Sequence, residues 1–265
     1  MLFALLLTAL PAAARELTVA QTAQMLAADV VILGEIHDNA LHHEGQAALM
    51  AQLAPKVVVF EMLSPEMAAR VNGADRRDIE ALGAEIGWAE AGWPDIALYA
   101  PVFEALGDAV AVGAAAPREE VRAAFAEGAA AVFRPGAARF GLERDLPAAE
   151  QAMREQMQFE AHCEAMPLEM MGGMVEAQRL RDAAFSAATL EALEAHGGPV
   201  VVITGNGHAR RDWGMPALLA LAGPEASVYS VGFVEAPSAE DDPRFDMTIV
   251  TDPAPREDPC AAFIK

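Results

Sequence analysis

Positive charge is scarce in this chain. Its 18 Lys and Arg face 39 Asp and Glu, giving a formal net charge of −21 over 265 residues. Acidity spread in this way excludes the basic face that a nucleic-acid partner needs, and speaks for solubility rather than for any one partner. Long apolar runs are also lacking. The one candidate, Leu2-Phe3-Ala4-Leu5-Leu6-Leu7, is too short to cross a bilayer, so no transmembrane segment is expected. With Ala12-Ala13-Ala14 and Arg15-Glu16 behind it, it has the pattern of a secretory signal without the usual positive n-region. We expect a signal peptide over 1–14, a periplasmic protein, and one α/β domain over 15–265. No Cys follows the stretch, so a lipid anchor is not expected. The two cysteines are Cys163 and Cys260. In an exported protein such a pair predicts a disulfide that staples the C-terminal tail to a mid-chain helix, the alternative being two buried thiols. Tyrosine too is confined to Tyr99 and Tyr229, and no internal repeat is visible.

Branched apolar runs are present at Val30-Val31-Ile32-Leu33, Val57-Val58-Val59-Phe60 and Val200-Val201-Val202-Ile203. Such runs read as strands buried on both faces, as in a parallel sheet covered by helices. Further strands are predicted over 108–113, 227–234 and 245–250. Helical spacing joins them, with Ser64-Pro65 opening one helix and a single helix predicted over about 95–106. From Arg118 to about His196 there is no strand signal, only Ala-, Glu-, Met- and Arg-rich helical sequence. The expected fold is therefore α/β, a mostly parallel sheet flanked by helices, with a helical insertion over about 118–196.

Two glycine-hinged turns follow buried strands: Gly34-Glu35-Ile36-His37-Asp38 and Gly205-Asn206-Gly207-His208. Ligands of parallel sheets bind beyond the carboxyl ends of the strands, so the turns are expected to share one cleft, with Glu61 after the second strand on the same rim. Glu35, His37 and His208 can act as general acids and bases. With Glu61 they can also ligate a divalent metal ion. The plain alternative is that the carboxylates cap helix starts. His42 and Gln46 share a helix face; His42 is expected to lean over the cleft and His43 to be solvated. Met174, Gln178, Arg181 and Phe185 form one helical stripe, either a polar network facing the cleft or an amphipathic surface. Six methionines between Met153 and Met174 surround His162 and Cys163; they are core, or soft neighbours of a flat ligand. Tyr99 follows Trp88, Trp93 and Pro94, and is either interior or a phenolate ligand for ferric haem.

In this order, Gly34-Glu35-Ile36-His37-Asp38, His42-His43, Gln46, Phe60-Glu61-Met62, Trp93, Tyr99, Pro101, His162-Cys163, Gln178, Arg181-Asp182 and Gly205-Asn206-Gly207-His208 resemble the ChaN-like haem-binding proteins. The resemblance extends from Leu26 to Cys260, and that family belongs with the Tiki/TraB and erythromycin-esterase-like proteins. It implies an exported protein linked to iron uptake, with haem held between an α/β core and a helical lobe, in some members as a cofacial pair across a homodimer. Tyr99 is the first axial-ligand candidate that the resemblance implies. His162, Arg181 and His42 complete the expected haem site. The wider group implies the alternative, a metal-dependent hydrolase working through the Glu/His cluster.

Overall fold

A computed structural model describes residues 19–239, 241–258, 260 and 261; the expected signal peptide lies outside them. Helix α1 (Val19–Ala27) precedes β1 (Val30–Glu35), and α2 (Ala40–Leu53) leads to β2 (Val57–Phe60). Next come α3 (Pro65–Gly73), α4 (Ile79–Ile86), α5 (Trp88–Ala91), a 3-10 turn over Ile96–Tyr99, α6 (Ala100–Ala105) and β3 (Val110–Gly113). Helices α7 (Arg118–Glu127), α8 (Ala129–Val132), α9 (Ala148–Ala161) and α10 (Met171–His196) fill the stretch before β4 (Val200–Gly205). The chain closes through α11 (Asn206–Ala209), α12 (Met215–Ala222), β5 (Val228–Glu235) and β6 (Met247–Thr251).

The six strands form one sheet in the order β3-β2-β4-β1-β5-β6, and every pairing is parallel. This is an α/β fold. The three unbroken apolar runs are β1, β2 and β4, three of the four inner strands, and every residue of these three is buried. Alternation along β1 sends Val31 and Leu33 to the face covered by α2, α3 and α6, and Val30 and Ile32 to the face covered by α10 and α12. A third cluster, with Leu180, Ala183 and Phe140, holds the helical segment together.

Local chemistry sets the helix ends. The Ser64 hydroxyl accepts from the N–H of Met67, with Pro65 in the first turn of α3. The Asn39 side chain accepts from the N–H of Leu41 and so starts α2 directly after the first glycine turn. The helix predicted over 95–106 is instead the 3-10 turn followed by α6. Asp95 caps the turn by accepting from Ala97 N–H, and Pro101 has no N–H to give to the preceding turn, so it interrupts a continuous helix but fits the first turn of α6. The Cys163–Cys260 disulfide is present, with Cα atoms 5.3 Å apart.

Candidate functional site

β1 and β4 are neighbours, and their register sets Glu35 beside Gly205. The same β4 pairs Ile203 with Phe60, whose successor is Glu61. The two glycine turns and Glu61 therefore meet at one point on the carboxyl edge of the sheet. Both turns leave little room beside their glycines. A Cβ on Gly34 would lie 2.5 Å from Asn206 Oδ1 and 2.7 Å from Ala209 Cβ, so only glycine lets α11, which carries His208, close over β1. A Cβ on Gly205 would lie 3.0 Å from His37 Nε2.

Glu35 ends the Val31–Leu33 stripe and is buried, with both oxygens engaged. Oε1 accepts from the Tyr99 hydroxyl at 2.5 Å and from His37 Nδ1 at 2.8 Å; Oε2 accepts from Gln46 Nε2 at 2.7 Å and lies 3.5 Å from His43 Nε2. Burial opposes its charge, but the hydrogen bonds and charges of His37 and His43 hold its pKa down at about 2. Burial likewise opposes a charged His37, and the Glu35 hydrogen bond with the charges of Glu61, Glu35 and Asp38 raises it to about 9. Its side chain is the exposed member of the cluster, at 30%, against the Trp93 ring 5.0 Å away.

Glu61 is held from the other side. Its Oε2 accepts from Thr204 Oγ1 at 2.6 Å and from Gly205 N–H at 2.7 Å. Its Oε1 faces two imidazoles, 3.6 Å from His208 Nε2 and 3.9 Å from His37 Nε2. Burial works against this carboxylate; the charges of His208 and His37, then the two hydrogen bonds, keep its pKa below the usual value. His208 Nδ1 donates to Asp182 Oδ1 at 2.6 Å, with the Gln178 amide 3.0 Å from the same nitrogen and Phe185 edge-on to the ring. Burial opposes the imidazolium, but Glu61 and Asp182 raise the His208 pKa; burial pushes Asp182 itself up. Each cleft histidine thus has one nitrogen fixed by a carboxylate and the other turned toward Glu61. That arrangement suits proton transfer to a group held between them.

Four sequence expectations are corrected. Tyr99 does not face a porphyrin: it is fully buried, stacked on His43 and edge-on to Trp88, its hydroxyl committed to Glu35. Burial, then Glu35, raises its pKa, opposing a phenolate. His42 does not lean over the cleft. Its Nδ1 accepts from Ile36 N–H at 2.9 Å and its Nε2 donates to Thr251 Oγ1 at 3.0 Å, and burial lowers its pKa to about 4. His43 is not solvated but fully buried, donating from Nδ1 to the Leu98 carbonyl at 3.0 Å. Finally, Glu35, His37, Glu61 and His208 do not make one ligand sphere, because both Glu35 oxygens are turned inward onto protein donors. No group of three or more His, Cys, Asp or Glu able to hold a metal ion occurs among the described residues.

His162 and Arg181 lie together elsewhere, in a cavity of about 330 Å³ where α7, α9 and α10 meet. Val121, Arg122, Phe125 and Met174 also line it. The His162 Nδ1 donates to the Gln158 carbonyl at 2.7 Å, which leaves Nε2 available. Arg181, which lines the cavity, directly precedes Asp182, the partner of His208, on α10. Asp182, present in the family motif but given no role from the sequence, is shown by the structure to be the partner of His208.

A family model described as haem-binding uptake, Tiki superfamily, ChaN matches residues 21–219. The chain belongs to this ChaN family. In fold it is similar to ChaN of Campylobacter jejuni, from a structure of cofacial haem binding, with a TM-score of 0.58 at 17% identity over 87% of this chain and 90% of that one. More distant likenesses are the erythromycin esterase EreC, as the H289N mutant in its open conformation (TM-score 0.44, 13% identity, 87% and 78% covered), and the type III effector HopBA1 (0.44, 13%, 87% and 91%). No curated protein sequence matches the chain.

Proposed function

We propose that this is an exported haem-binding protein serving iron uptake, with haem held at the helical lobe beside the core. The observation that carries this reading is the donor set of the α7–α9–α10 cavity. His162 offers a free Nε2 on an imidazole oriented by the Gln158 carbonyl, Arg122 and Arg181 offer cations for propionates, and Val121, Phe125 and Met174 offer apolar walls. These residues fit the group. Haem would supply the iron; the protein would supply the axial nitrogen, the countercharges and a dry wall. His162 replaces Tyr99 as the axial-ligand assignment. Family membership supports haem as the ligand, and the disulfide supports an oxidising compartment. The homodimer belongs to the same reading, with exposed Met153, Leu168 and Met170 on the lobe as available apolar surface. Haemin titration of the purified protein tests it. The expected result is a saturable Soret shift that His162→Ala weakens and displaces. No saturable shift in the wild type would end the reading; an unchanged His162→Ala titration would move the ligand elsewhere.

The cleft supports a second reading, a hydrolase. What favours it is Glu61 Oε1 standing between His37 and His208, each backed by its own carboxylate. The acid–base form of this reading needs only these residues. Turnover of ester or amide probes that Glu61→Gln abolishes while leaving haemin affinity unchanged would establish it. Failure of Glu61→Gln to alter turnover would remove it.

A further inference from the structure

The segment after β6 follows a defined path along the rim of the cleft. Asn39 Nδ2 donates to the Asp252 carbonyl at 3.0 Å, and Ala254 N–H donates to Glu235 Oε1 at 2.8 Å. The Arg256 guanidinium then donates to both oxygens of Asp38 at 2.7 Å and both oxygens of Glu235 at 2.6 Å. Four residues later Cys260 is bonded to Cys163. Asp38 is the neighbour of His37, and Cys163 the neighbour of His162. The tail therefore ties the rim of the core to the histidine-bearing end of α9. Four residues of extended chain reach at most roughly 14 Å, so the tie limits how far these two points can separate. Just past the end of α9, Cys163 and Glu164 stand at φ +58° and +54°, left-handed values at two consecutive non-glycine residues. Backbone bonds from Cys163 N–H to the Glu160 carbonyl and from Glu164 N–H to the Phe159 carbonyl hold this turn at the helix end, and the disulfide is its covalent anchor to the tail.

We propose that residues 252–258, linked through Cys260 to Cys163, are a thiol-sensitive strap that fixes His162 for ligand binding, and that reducing Cys163–Cys260 loosens the haem site. This rests on the assignment of haem to His162. The reductant is a dithiol of the thiol–disulfide oxidoreductase class. One of its thiolates attacks a sulfur of the bridge, the mixed disulfide is resolved by its second thiol, and the dithiol ends as a disulfide. Cys163 and Cys260 take up two electrons and two protons and become thiols. Released from the tail, the turn at Cys163-Glu164 relaxes, and the His162 ring loses its fixed position.

The test compares three forms of the full chain: oxidised; reduced, carbamidomethylated and freed of reductant; and Arg256→Ala, which cuts the strap at its other anchor with the disulfide intact. Each is titrated with haemin, and hydrogen exchange is followed over residues 158–170. The expected result is at least a tenfold rise in the haemin dissociation constant for the reduced form, a smaller rise for Arg256→Ala, and faster exchange at 158–166 in both. Equal haemin affinity of the oxidised and reduced forms would overturn the strap while leaving haem binding in place. Absence of haemin binding in the oxidised form would instead remove the haem assignment. In that case unchanged exchange at 158–166 on reduction would overturn the strap as well.

Discussion

The Tyr99 hydroxyl lies 2.5 Å from Oε1 of Glu35, with both groups buried beneath the carboxyl end of β1. This contact removes the phenol from the open surface and makes it a support of the cleft. Tyr99→Phe should leave the haemin titration unchanged while lowering stability by about 1–2 kcal/mol, because a buried carboxylate loses a donor. Urea unfolding run beside the titration separates the two effects. A displaced ferric spectrum in Tyr99→Phe would contradict this placement.

Asp182 holds the proton of His208 on Nδ1. In Asp182→Asn the imidazole loses a buried negative partner, so its pKa should fall. Imidazole NMR signals followed through a pH titration read this directly. An unmoved His208 titration would show that Glu61 alone sets its charge.

Stability should be greatest near neutral pH and decline on both sides. His42 has its pKa lowered to about 4 by burial, so the unfolded chain binds a proton there that the folded chain refuses. That contribution is fully present above the ordinary value of 6.5 and is lost as pH falls toward 4; it is on the order of 3 kcal/mol at most. His37 acts in the opposite sense. With its pKa raised to about 9, its contribution is present below 6.5 and lost as pH rises through 9. Thermal melts from pH 4 to 10 should show the dome, and His42→Gln should flatten its acid side. An acid limb that His42→Gln leaves unchanged would assign the loss to other groups.

Gly34→Ala should displace α11. Its Cβ would meet Asn206 and Ala209 at less than 3 Å, costing about 1–3 kcal/mol and moving His208 off Glu61. A variant of wild-type stability with an unchanged His208 titration would show that α11 yields without cost.

The inner strands were legible because β1, β2 and β4 are buried on both faces, which leaves unbroken apolar runs in the sequence. The meeting of Glu35, Glu61 and His208 followed from the same fact, since ligand-facing residues come straight after such runs. The fates of His42 and His43 were not legible. Helical spacing separates adjacent residues around α2, but it does not say what covers each flank. Here β6 covers one and the turn before α6 covers the other. Gly45 adds to this, because a Cβ there would lie 2.2 Å from Phe233 Cε1, so α2 lies too close to the sheet for either ring to reach solvent. Asp182 was equally hidden, because periodicity marks the faces of α10 without saying which one meets the sheet.

The position of β1 bears on the order of assembly. It is the first strand made, yet its two neighbours are β4 and β5, which begin at Val200 and Val228. Until residues near 200 are available, only β2 and β3 can pair among the strands so far present, and β1 has no partner. Long-range pairing of this kind delays collapse into the native sheet. A nascent chain stopped before β4 should therefore stay sensitive to protease around β1, and one extended through β5 should become resistant. Folding of the core would then wait until the strands on both sides of β1 have been synthesised.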